Sequence, residues 1–235
     1  MRDKLRKLIT DPFGVIDHRL SSLIEQIRYK RGKGYKAESY WTARHSKFQF
    51  DPRGVGDRYL TVEENLKQLH IGGQLLLELC NEEKIDFVSD RILDVGCGTG
   101  YYAQIFQHHG CTNYLGIDIV DTLFDGLRQH LPGFDFKKLD ISTKPLTGMY
   151  DVIIMMDVAQ HITEEQRFLF AMENLKTHLA SNGVIIISTI IGKNRRLGFY
   201  VVERTLAVFR NAFDGYRFSE PISFLTNKLF SIRKA

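Results

Sequence analysis

The segment RILDVGCGTGYYA, residues 91–103, sets three glycines at alternate positions directly behind a short apolar run. Such a run, bounded by turn residues, fits a buried strand of a parallel sheet. Gly96, Gly98 and Gly100 then fall in the turn between that strand and a helix that begins just after Gly100. Glycine reaches positive φ without a Cβ penalty, and it lets main-chain N–H groups come close to a bound molecule. In an open parallel sheet, ligands bind beyond the carboxyl ends of the strands, where the strand order reverses. The turn is therefore a ligand site by position alone.

The surrounding text supplies the sheet. Strand-like runs alternate with helical patterns: RILDV, a helix over about 101–109, NYLGID, a helix over about 122–131, FDFKKLD, YDVIIMMD, a helix over about 164–179, and GVIIIST. Repeated βα units imply an α/β fold with helices on both faces of a parallel sheet. The tail reads as a helix over about 199–213 and a closing pair of strands in YRFSEPISFL and KLFSIRKA. Upstream, Thr61 and Glu64 form a capping box, and Leu66, Leu69, Leu75, Leu76 and Leu79 give the next helix an apolar face.

Glycine spacing decides between ligands. A dinucleotide fingerprint, GxGxxG, would put its third glycine at position 101, which is Tyr101. No Gly-Lys-Ser/Thr follows either, so a phosphate loop of the Walker type is excluded.

The pattern GxGxG in LDVGCGTG resembles the first motif of class I S-adenosylmethionine-dependent methyltransferases. Later features agree in order: LGIDI, KKLDIS, YDVIIMMDVAQHI and the closing strand pair, so the resemblance covers about residues 90–235. It implies a Rossmann-like fold with a mostly parallel seven-stranded sheet, and S-adenosylmethionine as cofactor. It places Gly96, Cys97, Gly98 and Gly100 at the donor, with Asp118 and Ile119 at the ribose and Asp140 and Ile141 at the adenine. A carboxylate suits the ribose because it can accept from two adjacent hydroxyls at once. Asp94 is expected to orient the glycine loop or to meet the donor's ammonium group through water.

Methyl transfer needs the acceptor in line with the departing sulfur, and orientation alone can lower such a barrier by roughly 7–11 kcal/mol. A hydroxyl acceptor gains a further factor of about 10²–10⁴ from a base. His161 and Asp157, where the chain leaves the fourth strand, are the catalytic candidates. A histidine ordinarily titrates near neutrality, so His161 is the first candidate. Its structural alternative is a bond to nearby main chain at the start of the next helix. Asp157 is a second base, a partner for the histidine or a donor contact. Trp41, His45 and Arg53, with Tyr40 and Arg44, lie in the irregular segment YWTARHSKFQFDPRGVGDRYL, which reads as a long loop or short helices covering the site. They either recognise a polar acceptor or fasten the N-terminal segment to the core.

The net charge of +4 is uneven: the first 36 residues hold ten Lys/Arg against four Asp/Glu. Val15, Ile16, Leu20, Leu23, Ile24 and Ile27 recur at helical spacing there. Two domains follow, a basic helical appendage over 1–60 that covers the substrate and a methyltransferase domain over 61–235. A helix of this kind packs on the core or on a second subunit, or lies at an anionic membrane surface. No apolar run approaches the roughly 20 residues of a membrane span, and no cleavable signal pattern opens the chain, so a cytoplasmic or membrane-peripheral place is expected. Cys80, Cys97 and Cys111 have neither disulfide nor zinc spacing. No metal is expected, because no paired acidic residues follow the fourth or fifth strand. The sequence after the fourth strand also lacks the Asn/Asp-Pro-Pro-aromatic pattern of enzymes that methylate nucleic-acid bases. The expected function is O-methylation of a small-molecule, sugar or lipid-linked glycan acceptor; N-methylation and a catalytically inactive donor-binding subunit stay open.

Overall fold

The structure is a computed structural model that describes residues 12–235, with side chains from Ser21 onward. The basic residues before position 12, and the side chains of Val15, Ile16 and Leu20, lie outside the described residues. Helix α1 (Pro12–Tyr29) leads through a hairpin, β1 (Lys30–Arg31) and β2 (Gly34–Tyr35), into α2 (Ala37–Phe48). A 3₁₀ turn, Pro52–Gly54, precedes the long helix α3 (Val62–Glu82). At its start the Thr61 hydroxyl accepts from the Glu64 N–H at 3.1 Å, and the Glu64 carboxylate accepts from the Thr61 N–H at 2.8 Å.

The core then alternates as β3 (Ile92–Val95), α4 (Tyr101–His108), β4 (Tyr114–Asp118), α5 (Phe124–His130), β5 (Asp135–Lys138) and β6 (Tyr150–Met156). A 3₁₀ turn, Ala159–His161, joins β6 to α6 (Glu165–Thr177) and β7 (Leu179–Thr189). The short β8 (Arg195–Arg196) and β9 (Val202–Glu203) follow, then α7 (Leu206–Ala212), β10 (Tyr216–Phe218), β11 (Ile222–Phe224) and β12 (Asn227–Lys234).

The main sheet runs in the order β10-β12-β7-β6-β3-β4-β5, with β11 also paired to β12. Strands β3 to β7 pair in parallel, while β12 lies antiparallel to β7 and to β10. The order reverses at β3, so the crevice beyond β3, β4 and β6 is where ligands bind in such sheets.

Alternation along the central strands builds two cores. Ile92, Val152, Ile154, Val184 and Ile186 face α3, α4 and α5, packing on Leu76, Phe106 and Leu127. Leu93, Ile153, Met155, Ile185 and Ile187 face α6 and α7, packing on Phe168, Met172 and Phe209. Strands buried on both faces read as continuous apolar text, which is why VIIMM and VIIIS show no alternation.

Two expectations change. The helix expected over 199–213 is helical only at Leu206–Ala212. Its first half is pulled out as a strap: Phe199 is buried against Tyr35 and Tyr40, and Val202 and Glu203 pair with β8. The segment expected as a loop holds a full helix, α2, whose buried side chains are Tyr40, Arg44 and His45. Polar types on the buried face hid its period.

The N-terminal elements are tied to the core at several points. Tyr29, Tyr35, Tyr40 and Phe199 form a small third cluster. Arg58 pairs with Glu25, Lys138 with Glu38 at 2.6 Å, and Arg196 donates to the Lys33 carbonyl. Leu23, Ile24 and Ile27 of α1 remain exposed. Among the described residues no helix is long and apolar enough to cross a membrane.

Candidate active site

The carboxyl ends of β3, β4 and β6 open into a cavity of about 560 Å³, within the roughly 300–1,000 Å³ usual for small-molecule sites. Its floor is the turn after β3. Gly96 and Gly98 have φ of 79° and 50°, a region that costs other L-residues about 1–2 kcal/mol. Neither has room for a side chain: a Cβ on Gly96 would overlap Val158, and one on Gly98 would sit 2.8 Å from Val55 Cγ1. Close packing from both sides thus leaves bare main chain at the wall, beside Cys97 and Thr99.

Asp118 ends β4 against this turn. Its Oδ2 accepts from the Gly98 N–H and its Oδ1 from the Val120 N–H, each at 3.1 Å. Burial pushes its carboxyl up to about 6 against the pull of these backbone bonds. It is still mainly ionised at neutral pH, and a carboxylate has about four acceptor positions. The positions these bonds leave open are available to a ligand diol.

Along the same wall, Asp140 is braced by Ser142, whose N–H and hydroxyl donate to Oδ1 at 2.9 and 2.6 Å, and by Arg167 at 3.2 Å. Ile141 lines the cavity next to it, and Asn174 donates to the Ile141 carbonyl at 2.9 Å.

Another part of the lining is aromatic. Trp41 donates its indole N–H to the Tyr35 hydroxyl at 3.1 Å and sets its ring edgewise to His161, 5.1 Å between centroids. His161 stacks on Tyr200 at 5.4 Å and 9°. Its Nδ1 lies 2.9 Å from the Tyr200 carbonyl oxygen. A carbonyl only accepts, so Nδ1 carries the hydrogen and Nε2 keeps the lone pair. Burial drives the His161 pKa down to about 4, with the Tyr200 bond opposing and the Arg44 charge assisting. His45, also in the wall, is lowered to about 4 by burial and then by Arg44.

Arg44 fastens this side to the floor, donating to the Tyr40 hydroxyl and the Arg53 carbonyl at 3.0 Å each and to the Gly56 carbonyl. Asp157, at the end of β6, has φ of 58°. Strain of this kind persists where bonds over-determine it: Oδ1 accepts from the Ser188 hydroxyl at 2.5 Å and the Asn227 amide at 2.7 Å. Burial pushes its carboxyl upward from the ordinary value, against the pull of these two bonds.

Comparison with known proteins fixes what such a site belongs to. A family described as a methyltransferase domain matches residues 65–213. The chain belongs to that methyltransferase family. The ubiquinone biosynthesis O-methyltransferase of Rickettsia typhi is 31% identical over 159 residues, covering 65% of this chain and 63% of that protein. The protein of the same name from Rickettsia canadensis is 30% identical over 164 residues, covering 65% of this chain and 68% of the relative. This chain therefore spans about three-fifths of the first relative's length. Among solved structures, magnesium protoporphyrin IX methyltransferase from Synechocystis with bound S-adenosylhomocysteine superposes with a TM-score of 0.65 at 15% identity, covering 84% of this chain and 98% of that one. An S-adenosylmethionine-dependent methyltransferase from Clostridium acetobutylicum superposes with a TM-score of 0.57 at 13% identity, covering 69% and 90%. These last two share the fold.

The cofactor of the methyltransferase family is S-adenosylmethionine, and the residues present suit it. The turn that a Cβ would fill offers main-chain approach, and Asp118 offers paired acceptor positions. Of the residues expected at the donor, Gly96, Cys97, Gly98, Asp118, Ile119, Asp140, Ile141 and Asp157 line the cavity. Asp94 and Gly100 do not. Asp94 points into the core, accepts from the Tyr114 hydroxyl at 2.7 Å, and is raised to about 7 by burial. Gly100 has φ of 75° and packs on Leu127, where a Cβ would overlap; it serves the α4–α5 contact. Trp41, His45 and His161 are brought together, whereas Arg53 stands outside the wall, paired with Asp51 at 2.6 Å. Tyr35, Val55, Asn65, Phe224, Leu225 and Asn227 also line the cavity. They lie 30 or more residues from the glycine motif or on the last strands, and only RGVG, beside Pro52, gave a local turn signal.

Proposed function

We propose that this methyltransferase O-methylates an uncharged small-molecule acceptor held between Trp41, His45 and His161, over a donor held by the Gly96–Gly98 turn, Asp118 and Ile141. When bound, S-adenosylmethionine supplies a sulfonium methyl group, which passes to an acceptor oxygen as the carbon–sulfur bond breaks with its electron pair on sulfur. His161 Nε2 takes the acceptor's hydroxyl proton. Its Nδ1–H stays on the Tyr200 carbonyl, which fixes the tautomer and supports the imidazolium that forms. Asp157, tied to Ser188 and Asn227, braces the floor between them. The aromatic cap excludes water.

The observation that carries this reading is the His161 ring, which lines the cavity, sets its Nδ1 against the Tyr200 carbonyl and is favoured in its neutral form by burial. The uncharged acceptor follows from the wall's charges. Arg167 is the cation of the described wall, and it is paired with Asp140 and Glu164. The carboxylates of Asp57 and Asp157 would repel an anion. Oxygen as the methylated atom agrees with the names of the Rickettsia relatives. Residues 1–60 act as the covering unit in this reading. The exposed Leu23, Ile24 and Ile27, followed by exposed Arg28, Lys30 and Arg31, extend it to contact with an anionic membrane surface.

The test incubates the protein and donor with a panel of uncharged and anionic hydroxyl compounds and amines, reading products heavier by one CH₂ by mass spectrometry. O-methylation of neutral acceptors is expected, with His161→Ala keeping affinity for S-adenosylhomocysteine and losing turnover by about 10²-fold or more. N-methylated or anionic products, or unchanged turnover in His161→Ala, would overturn the reading. Sedimentation with anionic liposomes, with and without the first 30 residues, tests the membrane contact.

A further inference from the structure

Arg204 buries its guanidinium beside the carboxylate of Glu165, an exposed group that takes only long bonds of 3.5 Å from Nε and Nη2. Desolvating a guanidinium is costly unless its donors are used, and here the shorter bonds go to main chain. Nη1 donates to the Ala159 carbonyl at 3.1 Å and Nη2 to the Ile162 carbonyl at 2.7 Å. The guanidinium carbon lies 3.9 Å over the Phe168 ring. Ala159 opens the 3₁₀ turn that carries His161, and Ile162 caps its end.

The same strap reaches His161 a second way. Tyr200 accepts the Nδ1 hydrogen bond and stacks on the imidazole, four residues before Arg204. The strap is anchored in turn, because Gly192 donates to the Arg204 carbonyl at 2.9 Å just beyond β7. One segment therefore holds both the backbone and the ring of the candidate base.

We propose that Arg204 is a positioning residue for His161, its planar fork clamping the carbonyls on either side of that residue so that the imidazole stays bound to Tyr200 and Nε2 is the nitrogen left for the acceptor. Lysine cannot reproduce two diverging donors together with a flat face on Phe168. The inference rests on the reading of His161 as the base, but its test does not use turnover.

The experiment compares the full chain with Arg204→Met, Arg204→Lys and Phe168→Leu, with ¹⁵N-labelled histidine and S-adenosylhomocysteine as the binding probe. In the parent protein, His161 should show the Nδ1–H tautomer alone and titrate near 4. In Arg204→Met, the two tautomers should mix and the midpoint rise by a unit or more toward 6.5, the ordinary value, while affinity for S-adenosylhomocysteine stays within about twofold. Arg204→Lys should fall between the two. Phe168→Leu, which keeps the fork, should lower the melting temperature and leave the His161 spectrum as in the parent. A folded Arg204→Met with the parent tautomer and midpoint would overturn the proposal. If Arg204→Met does not fold, an Arg204→Lys spectrum matching the parent overturns it equally, and a mixed one supports it.

Discussion

Adding one methyl group at position 98 tests the floor of the site most directly. Gly98 has φ of 50°, and a Cβ there would lie 2.8 Å from Val55 Cγ1. The left-handed conformation costs alanine about 1–2 kcal/mol, and overpacking adds about 1–3 kcal/mol. Val55 cannot simply retreat, because Arg44 holds the carbonyls of Arg53 and Gly56 on either side of it. Gly98→Ala should therefore destabilise by about 2–5 kcal/mol, a fall in Tm of roughly 5–20 °C for a chain of this size. Val55→Ala in that background removes the clash but not the backbone cost. The double variant should be more stable than the sum of the two single losses by about 1–3 kcal/mol, the overpacking share. Urea denaturation of all four proteins closes the cycle, and calorimetry with S-adenosylhomocysteine should show the double variant recovering part of the lost affinity. Additivity within about 0.5 kcal/mol would refute the packing argument, and a Gly98→Ala cost below about 0.5 kcal/mol would refute the backbone one as well.

Asp118→Asn keeps the shape but loses the charge and one of the two backbone acceptors; affinity for S-adenosylhomocysteine should fall about 10–10³-fold by calorimetry, given roughly 1.5–3 kcal/mol for each charge-assisted bond. Only neutral His161 can accept a proton, so kcat measured with saturating donor should fall as pH drops through about 4 and stay level from there to neutrality; an acid limb near 6.5 would contradict that environment. Saturating donor is needed because Asp118, raised to about 6, titrates in between and is the proposed donor ligand. Arg44→Met strips donors from two carbonyls and a hydroxyl, so it should cost about 2–4 kcal/mol in denaturant unfolding. It should also move the His45 and His161 midpoints upward in NMR titration, since the Arg44 charge lowers both.

The donor side was legible from the sequence because its determinants are local. A strand, a turn that needs positive φ and a helix start fit within residues 91–103, and Asp118 ends the next strand where the resemblance put it. Asp94 shows the limit of that reading. A strand-end aspartate faces either the crevice or the core, and only the pairing with Tyr114, 20 residues away, turns it inward. His161 shows it differently: the main-chain partner of its Nδ1 is the Tyr200 carbonyl, 39 residues further along the chain, while the residue also lines the cavity.

The sequence by itself determined the α/β alternation, the parallel core and the glycine floor, since apolar period, capping and backbone sterics act over a few residues. Tertiary structure alone decided the aromatic side of the cavity. There α2 buries Arg44 and His45, the strap from Phe199 to Arg204 replaces an expected helix, and β12 brings Asn227 onto Asp157. The strap and Asn227 bond partners 39 or more residues away, and periodicity along one segment contains no trace of such a partner.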